Sequence, residues 1–299
     1  MKAGGISIDD TFAEAFGMSA TGVVITADSM RWARQAAVTM SGFGTSVIGA
    51  GAEVGIDREL KPEETPDGRP GVRVLLFGFS PESVGPQLKT RVGQCVLTSP
   101  GSACYAGVEA EKQIGLGQGP RFFGDGFQTA KRLGKKRYWR VPVMDGEFVI
   151  EETTGLVTDA VGGGNLIILG NDRAGLLSAA EGAVDAIANV PDVITPFPGG
   201  IVRSGSKVGS KYKGAIASTN DAFCPTLRGR VKSELGPDTV SVLEIVIDGL
   251  TSKSVADAMR AGLKSLIDNG AAKGVTRITA GNYGGKLGPH HYKLRELLP

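Results

Sequence analysis

The stretch TVSVLEIVIDGLTSKSVADAMRAGLKSLIDNG, residues 239–270, decides the fold. Its first part, residues 239–250, is rich in valine, isoleucine and leucine, which is typical of a buried β-strand. A helix is predicted to begin near Thr251 and Ser252 and to stop at Gly270, because apolar residues recur between them at spacings of three and four. The residues of this apolar stripe are Val255, Met259, Leu263 and Leu266. The stretch therefore predicts a strand that leads directly into an amphipathic helix.

The same unit occurs earlier in the chain. The apolar run GVRVLLFGF, residues 71–79, predicts a strand, and residues 80–82 (Ser-Pro-Glu) supply a helix start with proline at the first helical position. The apolar stripe of this helix is Val84, Leu88, Val92 and Val96. The repetition indicates an internal duplication.

Each unit is preceded by another strand and helix. The strands are predicted at residues 21–28 and 164–170. The residues expected to bound the helices are Ser29 and Gly42 for the first, and Asn171 or Asp172 at the start of the second. The expected apolar stripes are Trp32, Ala36 and Met40 in the first helix, and Leu177, Ala180, Val184 and Ile187 in the second.

These elements predict an α+β fold of two ferredoxin-like (split βαβ) lobes, with helices on one side of each sheet. We assign residues 1–150 to the N-terminal lobe and residues 151–299 to the C-terminal lobe. The connecting segment contains the strand-like runs RYWRVPV (137–143) and GEFVIEE (146–152), which can form a hairpin or extend a sheet.

Composition narrows the function. A net charge of +2 argues against nucleic acid as the main partner. The chain has no apolar run long enough to span a membrane and no signal peptide, so the cytoplasm is expected. His290 and His291 are the only histidines, which excludes a His-rich metal site, so no metal is expected. Residues 199–207 lack the Gly-Lys-Ser/Thr of a phosphate loop, and 42–46 and 115–119 lack the third glycine of a dinucleotide loop.

Glu244 is the first candidate for chemistry. Strand alternation places it on one face with three valines: Val240, Val242 and Val246. A carboxyl group among valines is costly to ionise, so its pKa should rise, and such a group can donate and accept a proton near neutral pH. The alternative is that this face meets solvent and Glu244 is an ordinary surface residue.

Three loops are candidates for substrate binding. The first, TPFPGGIVRSGSKVGSKYK (195–213), combines tight glycine turns with positive charge and suits a carboxylate or phosphate ligand. Its candidate residues are Gly199, Gly200, Arg203, Ser206, Lys207 and Lys211. The second, RFFGDG (121–126), offers Phe122 and Phe123 as an aromatic wall for a flat ring. The third, GNYGGKLG (281–288), offers Asn282, Tyr283 and Lys286. Loops 195–213 and 281–288 are equally compatible with a turn of no chemical role, and for RFFGDG the sequence alone favours one core phenylalanine and a turn.

Nine short runs, taken in order along nearly the whole chain, resemble the formylmethanofuran–tetrahydromethanopterin formyltransferase family. They are DTFAEAF (10–16), GFGTSVI (42–48), ETPDGRPGV (64–72), GQCVLT (93–98), FFGDG (122–126), TPFPGGIV (195–202), SGSK (204–207), EIVI (244–247) and AGNYGGKLG (280–288). Each run alone is weak, but nine in the right order are specific.

The resemblance implies two ferredoxin-like lobes and an acyltransferase. This enzyme would pass a formyl group reversibly between formylmethanofuran, or an analogue, and N5 of tetrahydromethanopterin. It also implies that Glu244 is the catalytic glutamate, that no cofactor is bound and that the two carriers are co-substrates. Archaeal members are homotetramers and typically acidic, whereas this chain has a pI near 8.4.

The chain is therefore more similar to the version found in methylotrophic bacteria, which oxidise formaldehyde to formate. There the transferase is one subunit of a formyltransferase/hydrolase complex with a metal-dependent hydrolase subunit. A different class of function stays open from the residues, namely a non-catalytic carrier-binding subunit of such a complex. The identity of the furan carrier, the pterin variant and the direction of the reaction are not encoded in any motif.

Overall fold

The computed structural model describes all 299 residues. They form six α-helices and eighteen β-strands joined by turns and loops. The helices are α1 (Met30–Ser41), α2 (Val47–Ala50), α3 (Pro81–Arg91), α4 (Arg173–Ile187), α5 (Ser252–Asn269) and α6 (Leu294–Leu297). The strands are β1 (Lys2–Ala3), β2 (Ile6–Ile8), β3 (Phe12–Thr26), β4 (Glu53–Leu60), β5 (Gly71–Gly78), β6 (Ala103–Ala106), β7 (Gln113–Gly115), β8 (Thr129–Leu133), β9 (Lys136–Val143), β10 (Gly146–Glu151), β11 (Thr153–Gly155), β12 (Val157–Gly170), β13 (Val193–Ile194), β14 (Lys207–Val208), β15 (Ala217–Ser218), β16 (Ser241–Gly249), β17 (Val275–Thr279) and β18 (His290–Lys293). None of the helices combines the length and the apolarity needed to cross a lipid bilayer.

Two βαββαβ units with the same topology build the two lobes. The first runs β3-α1-β4-β5-α3-β6, and its strands lie in the antiparallel order β6-β3-β5-β4. The second runs β12-α4-β13-β16-α5-β17 in the equivalent order β17-β12-β16-β13. This is the ferredoxin-like arrangement used twice, so the predicted fold class is confirmed.

The sequence pattern missed the second strand of each unit. Strand β4 carries four charged residues, which obscure its alternation, and β13 is only two residues long. The connecting segment does both things that its pattern allowed. Strands β9 and β10 form a hairpin, and β10 also pairs with β6, so the hairpin extends the sheet of the first lobe.

The apolar stripes of α5 and of the helix that begins at α3 are confirmed. All eight predicted residues are buried, and α3 continues through a π-helical turn at Val92–Val96. The stripes of α1 and α4 were partly wrong. Trp32 is 39% exposed and Leu177 is 44% exposed, whereas Ala33 and Leu176 are fully buried. Both helices are rich in alanine, so a shift of one position along the helix changes the apparent apolar pattern very little.

Strand β3 joins the lobes. Its middle, residues 16–20, pairs with β12 at residues 157–162, and its first residues pair with β18. Consequently Ile6, Ile8 and Ala13 pack in the core of the second lobe although they begin the chain. The lobe boundary at residue 150 stays a prediction, and residues 1–15 contribute their apolar side chains to the second core.

Buried carboxyl groups also meet at the junction of the lobes. Glu53 of β4 and Asp248 of β16 are 8% and 0% exposed, and neither carboxyl group has an ion-pair partner in the chain. Burial raises the pKa of both groups, and the charge of Glu53 raises that of Asp248 further. Nearby, Arg73 donates to Asp57 of the first lobe at 2.9 Å and also to Asp192 of the second.

The inward face of α4 can be tested with two adjacent leucines. Leu176→Ala should lower the free energy of unfolding by about 2–5 kcal/mol, because it leaves a cavity at a fully buried site. Leu177→Ala should cost less than about 1 kcal/mol, since that side chain is largely exposed. Urea unfolding of both variants beside the parent protein measures the difference. Equal losses, or a larger loss for Leu177→Ala, would contradict this orientation of the helix.

Candidate functional site

Glu244 lies on the face of the second sheet that the helices do not cover. On β16, Ile245 and Ile247 are fully buried in the core formed with α4 and α5. Their neighbours Val242, Glu244 and Val246 are half-buried and point to the opposite face. The predicted alternation is thus correct within the strand, whereas Val240 lies just before it and is 54% exposed.

The loop that follows β13 covers this open face. Because β13 pairs only with the last two residues of β16, the edge of β16 at Glu244 has free backbone groups. Val202 takes them up: its N–H donates to the Glu244 carbonyl at 2.7 Å, and the Glu244 N–H donates to the Val202 carbonyl at 2.9 Å. Both backbone polar groups of Glu244 are therefore hydrogen-bonded at this edge of the sheet.

The pocket around the Glu244 side chain is mostly apolar. Ile167 lies directly across from it on β12, and the remaining lining residues are Val202, Arg203, Ser204, Gly205, Asn220, Phe223, Cys224, Val242 and Leu243. No group of the chain donates a hydrogen bond to the carboxyl group. Desolvation by burial raises the pKa of Glu244 to about 7. Glu244 can therefore both donate and accept a proton at neutral pH.

A larger cleft opens beside this pocket and shares seven lining residues with it: Val202, Arg203, Ser204, Phe223, Cys224, Val242 and Leu243. Its other walls come from the start of α4 and from the turn at Pro198–Gly200. A ligand bound in the cleft would reach the pocket of Glu244 through the shared residues. Among the described residues, no group of three or more His, Cys, Asp or Glu side chains is placed to hold a metal ion.

The glycine-rich loop 281–288 is held against the second lobe by Glu14 of β3. This carboxylate is 1% exposed and accepts backbone N–H bonds from Tyr283 (2.6 Å), Gly285 (3.0 Å), Leu287 and Gly288 (2.8 Å). Burial raises the pKa of Glu14, but the four N–H bonds outweigh it and lower the pKa to about 2. Glu14 is thus ionised at every pH at which the protein would be assayed.

Tyr283 connects this loop to Glu244 through electrostatics. Its side chain is 38% exposed, and burial together with the negative charges of Glu244 and Glu14 raises the pKa of the phenol. It therefore keeps its proton and remains a hydrogen-bond donor near neutral pH. Lys286 is exposed on the same loop without an ion pair. Asn282 donates to Thr11 and Phe12, which makes it a residue of the loop's own framework.

The structure separates the predicted residues of 195–213 by position. Gly199 and Gly200 have φ values of 61° and 76°, and only Gly199 lines the cleft. Gly200 is buried, and a Cβ there would lie 2.7 Å from Val184. Arg203 lines both pockets and is exposed.

The remaining polar residues of this loop lie further out. Ser206 is exposed, and Lys211 lies in the exposed connection between β14 and β15. Lys207 already pairs with Asp221 at 2.7 Å, so its charge is partly neutralised within the chain.

The structure does not bring Phe122 and Phe123 to Glu244 within one chain. They lie in a turn against β9 and are 65% and 67% exposed. Strands β10, β6 and β3 separate β9 from β12 in the sheet. With neighbouring strands about 4.8 Å apart, the phenylalanines are roughly 20 Å or more from the open face of the second lobe. Within one chain these two residues do not line the pocket of Glu244, and their role as an aromatic wall for a flat ring stays a prediction.

Sequence reasoning missed two residues that shape the site, Glu14 and Asn165. Glu14 carried a usable signal, since it stands between alanines in the strand run FAEAF, much as Glu244 stands among valines. The Asn165 amide accepts from Gly281 N–H at 2.6 Å and donates to the Gly281 carbonyl at 3.2 Å. No local pattern predicts that contact, because the two residues are 116 positions apart.

Comparison with known proteins gives the family. Residues 1–143 match the model of formylmethanofuran-tetrahydromethanopterin formyltransferase, and residues 146–297 match that of its proximal lobe. The formylmethanofuran–tetrahydromethanopterin formyltransferase of Methylobacillus flagellatus is 60% identical over 98% of this chain and 98% of its own length.

Two solved structures agree with this match. One is the formyltransferase/hydrolase complex of Methylorubrum extorquens with methylofuran, of which one chain is 58% identical, with a TM-score of 0.98 and coverage of 100% of this chain and 99% of that one. The other is the formyltransferase of Methanosarcina barkeri, which is 46% identical, with a TM-score of 0.94 and coverage of 99% and 100%. The chain therefore belongs to the formylmethanofuran–tetrahydromethanopterin formyltransferase family.

Proposed function

We propose that this formyltransferase uses Glu244 as its acid–base residue when a formyl group passes between a methanofuran-type carrier and N5 of tetrahydromethanopterin. One observation supports this role above the others. Glu244 is a carboxyl group without a hydrogen-bond partner in the chain, in a mostly apolar pocket that adjoins an open cleft, and burial raises its pKa to about 7. The names of the similar proteins supply the two carriers.

The reaction requires an amine to attack the carbon of a formamide. The new C–N bond forms as the carbonyl π electrons move to oxygen, and the protonated Glu244 donates a hydrogen bond to this developing oxyanion. The attacking nitrogen then loses a proton and the leaving nitrogen gains one. The oxyanion re-forms the carbonyl as the bond from the formyl carbon to the leaving nitrogen breaks, so the reaction consumes no net proton. A group with a pKa near 7 suits that proton exchange in either direction. Holding the attacking nitrogen against the formyl carbon is worth about 7–11 kcal/mol of the barrier.

Substrate binding is assigned to the groups that border the cleft or project beyond it. Arg203 and Lys286 are exposed cations without an ion pair, and they would attract acidic groups on the carriers. Lys211 lies in the connection between β14 and β15 and lines neither pocket. Lys207 would first have to leave its ion pair with Asp221. Tyr283 would donate its phenol hydrogen, and the backbone at Gly199 lies at the cleft surface.

We further propose that the chain acts in the cytoplasm as a subunit of a formyltransferase/hydrolase complex with a metal-dependent hydrolase subunit, in the oxidation of formaldehyde to formate. The similarity to the Methylorubrum extorquens complex supports this assembly over an isolated homotetramer. The metal would belong to the hydrolase subunit. In this chain the two co-substrates would be the only carriers, with no resident cofactor.

A non-catalytic role in carrier binding is the competing function. A binding subunit has no use for an unpaired carboxyl group beside a cleft, because burying it destabilises the fold. Glu244 therefore favours catalysis, and formyl transfer by the purified chain separates the two functions.

Replacement of Glu244 tests the proposed role. Glu244→Gln keeps the shape of the side chain but removes the titrating proton, so formyl transfer should fall by at least about 10²-fold. The same variant should be more stable at pH 8, because a folded-state pKa raised from 4.5 to about 7 lowers stability progressively between those pH values, by about 3 kcal/mol in total. Urea unfolding at pH 4.5 and pH 8 should show the gain only at the higher pH.

Glu63→Gln provides the matched control, because Glu63 is exposed and its side chain makes no hydrogen bond in the chain. Its turnover and stability should match those of the parent protein. Near-normal turnover by Glu244→Gln would end the acid–base assignment.

The pH dependence of turnover gives an independent test. Since the protonated form of Glu244 donates to the oxyanion, kcat/KM should be level below about pH 7 and fall tenfold per pH unit above it. The residual activity of Glu244→Gln should lack this fall. Initial rates between pH 5.5 and pH 9 in constant ionic strength measure both profiles. An unchanged alkaline limb in the variant would assign the titration to another group.

A further inference from the structure

Glu14 accepts more hydrogen bonds from the loop 281–288 than any other side chain of the protein. Its two carboxylate oxygens accept four backbone N–H bonds, two each, from Tyr283, Gly285, Leu287 and Gly288. These donors lie 269 to 274 positions from Glu14 in the chain. The loop has no strand or helix in this region, so its shape depends on side-chain hydrogen bonds, of which Glu14 accepts the most.

The backbone of the loop approaches β3 as closely as glycine allows. A Cβ at Gly288 would lie 2.1 Å from the Ala15 carbonyl oxygen, so no other residue fits there without displacing the strand. Gly284 and Gly285 adopt φ values of 79° and 71°, which other residues rarely adopt. Asn165 fixes the start of the loop through both polar groups of Gly281.

The loop meets the proposed site at its first residues. A Cβ at Gly281 would lie 3.7 Å from Ile167, which lines the pocket of Glu244. Two residues further on, the Tyr283 backbone N–H donates to Glu14 at 2.6 Å, so the carboxylate fixes the backbone from which the Tyr283 side chain projects. Glu14 itself is buried below the loop and faces no pocket that a substrate could enter.

We propose that Glu14 is a positioning residue for formyl transfer, because its carboxylate holds the loop 281–288, and with it Tyr283, against the wall of the Glu244 pocket. The proposal rests on the proposed role of Glu244 and extends it to the residue that builds the facing wall. Glu14 acts through Tyr283 and does not contact the reacting atoms. The site in the C-terminal lobe is therefore completed by the N-terminal strand.

Glu14→Gln is the variant that tests this role. The amide has the same shape, but it offers one acceptor oxygen and turns an NH2 group toward backbone N–H donors, so about half of the bonds are lost. We expect kcat/KM to fall by about 10-fold, no more than is lost when the Tyr283 hydroxyl is removed altogether. The alkaline limb near pH 7 should remain, because Glu244 is intact.

A double-mutant cycle distinguishes positioning from general destabilisation. Tyr283→Phe alone should lower kcat/KM by about 10-fold, the loss of one hydrogen bond to a reacting group. If Glu14 acts through Tyr283, the double variant should be no more than about threefold below Glu14→Gln. The proposal would be overturned if the losses in kcat/KM of the two single variants multiplied in the double variant. A Tyr283→Phe variant with unchanged kcat/KM would overturn it as well.

Asp67→Asn is the matched structural control. Asp67 also organises a loop, accepting bonds from Thr26 at 2.7 Å and Tyr105 at 3.1 Å, but it lies in the first lobe. Both variants should lose thermal stability, whereas kcat/KM per folded molecule should fall only in Glu14→Gln. Equal losses of activity in both variants would mean that Glu14 has only a structural role.

The outcomes for Glu14 and Glu244 are separable. A Glu244→Gln variant with normal turnover defeats the proposed function itself, whatever Glu14→Gln does. An inactive Glu244→Gln variant beside a fully active Glu14→Gln variant defeats only the present proposal. Hydrogen exchange gives the direct readout: the amides of residues 283–288 should exchange faster in Glu14→Gln while those of α5 remain protected.

Discussion

The antiparallel pairing of β3 with β12 is the contact on which the rest of the structure depends. Each of these strands is the first strand of a ferredoxin-like unit, and each runs on past the ladder of its own unit. Their pairing makes one continuous sheet of two duplicated lobes. It also carries residues 12–15 into the second lobe, where they meet β18 and the glycine-rich loop. A site assembled from Glu14, Asn165, Glu244 and Tyr283 exists only because one strand serves both lobes.

The same sequence signal has opposite electrostatic outcomes in this fold. Glu14, Glu244 and Asp248 all stand in apolar strands, and desolvation raises the pKa of all three. Their surroundings then differ in hydrogen-bond donors. Glu14 receives four N–H bonds and titrates near 2, Asp248 receives one and lies against Glu53, and Glu244 receives none and titrates near 7. Burial alone therefore does not set the pKa. The number of donors facing the carboxylate decides whether the pKa lies above or below its ordinary value.

This difference explains what the sequence could predict and what it could not. Periodicity found the helices because their packing repeats every three to four residues, and it failed by one position in α1 and α4, where alanine makes neighbouring faces alike. The apolar strand around Glu244 was enough to predict a raised pKa, since no donor had to be located. The role of Glu14 was out of reach, because its donors come from the opposite end of the chain. The distance of Phe122 and Phe123 from Glu244 was out of reach for the same reason: a motif does not say which strand of a nine-strand path it will lie on.

The bare carboxyl group of Glu244 costs stability that one hydrogen bond would restore. A single well-placed N–H, such as the one that Gly163 donates to Asp248, would stabilise the carboxylate, but it would also lower the pKa and leave Glu244 without its proton near neutral pH. The loop 281–288 offers four backbone N–H donors to a carboxylate, and all four of them are directed at Glu14. Because these N–H groups bind Glu14, the loop 281–288 is anchored and the carboxyl group of Glu244 has no hydrogen-bond donor. Moving any of them from the loop's anchor to Glu244 would loosen the wall of the site and remove its acid at the same time.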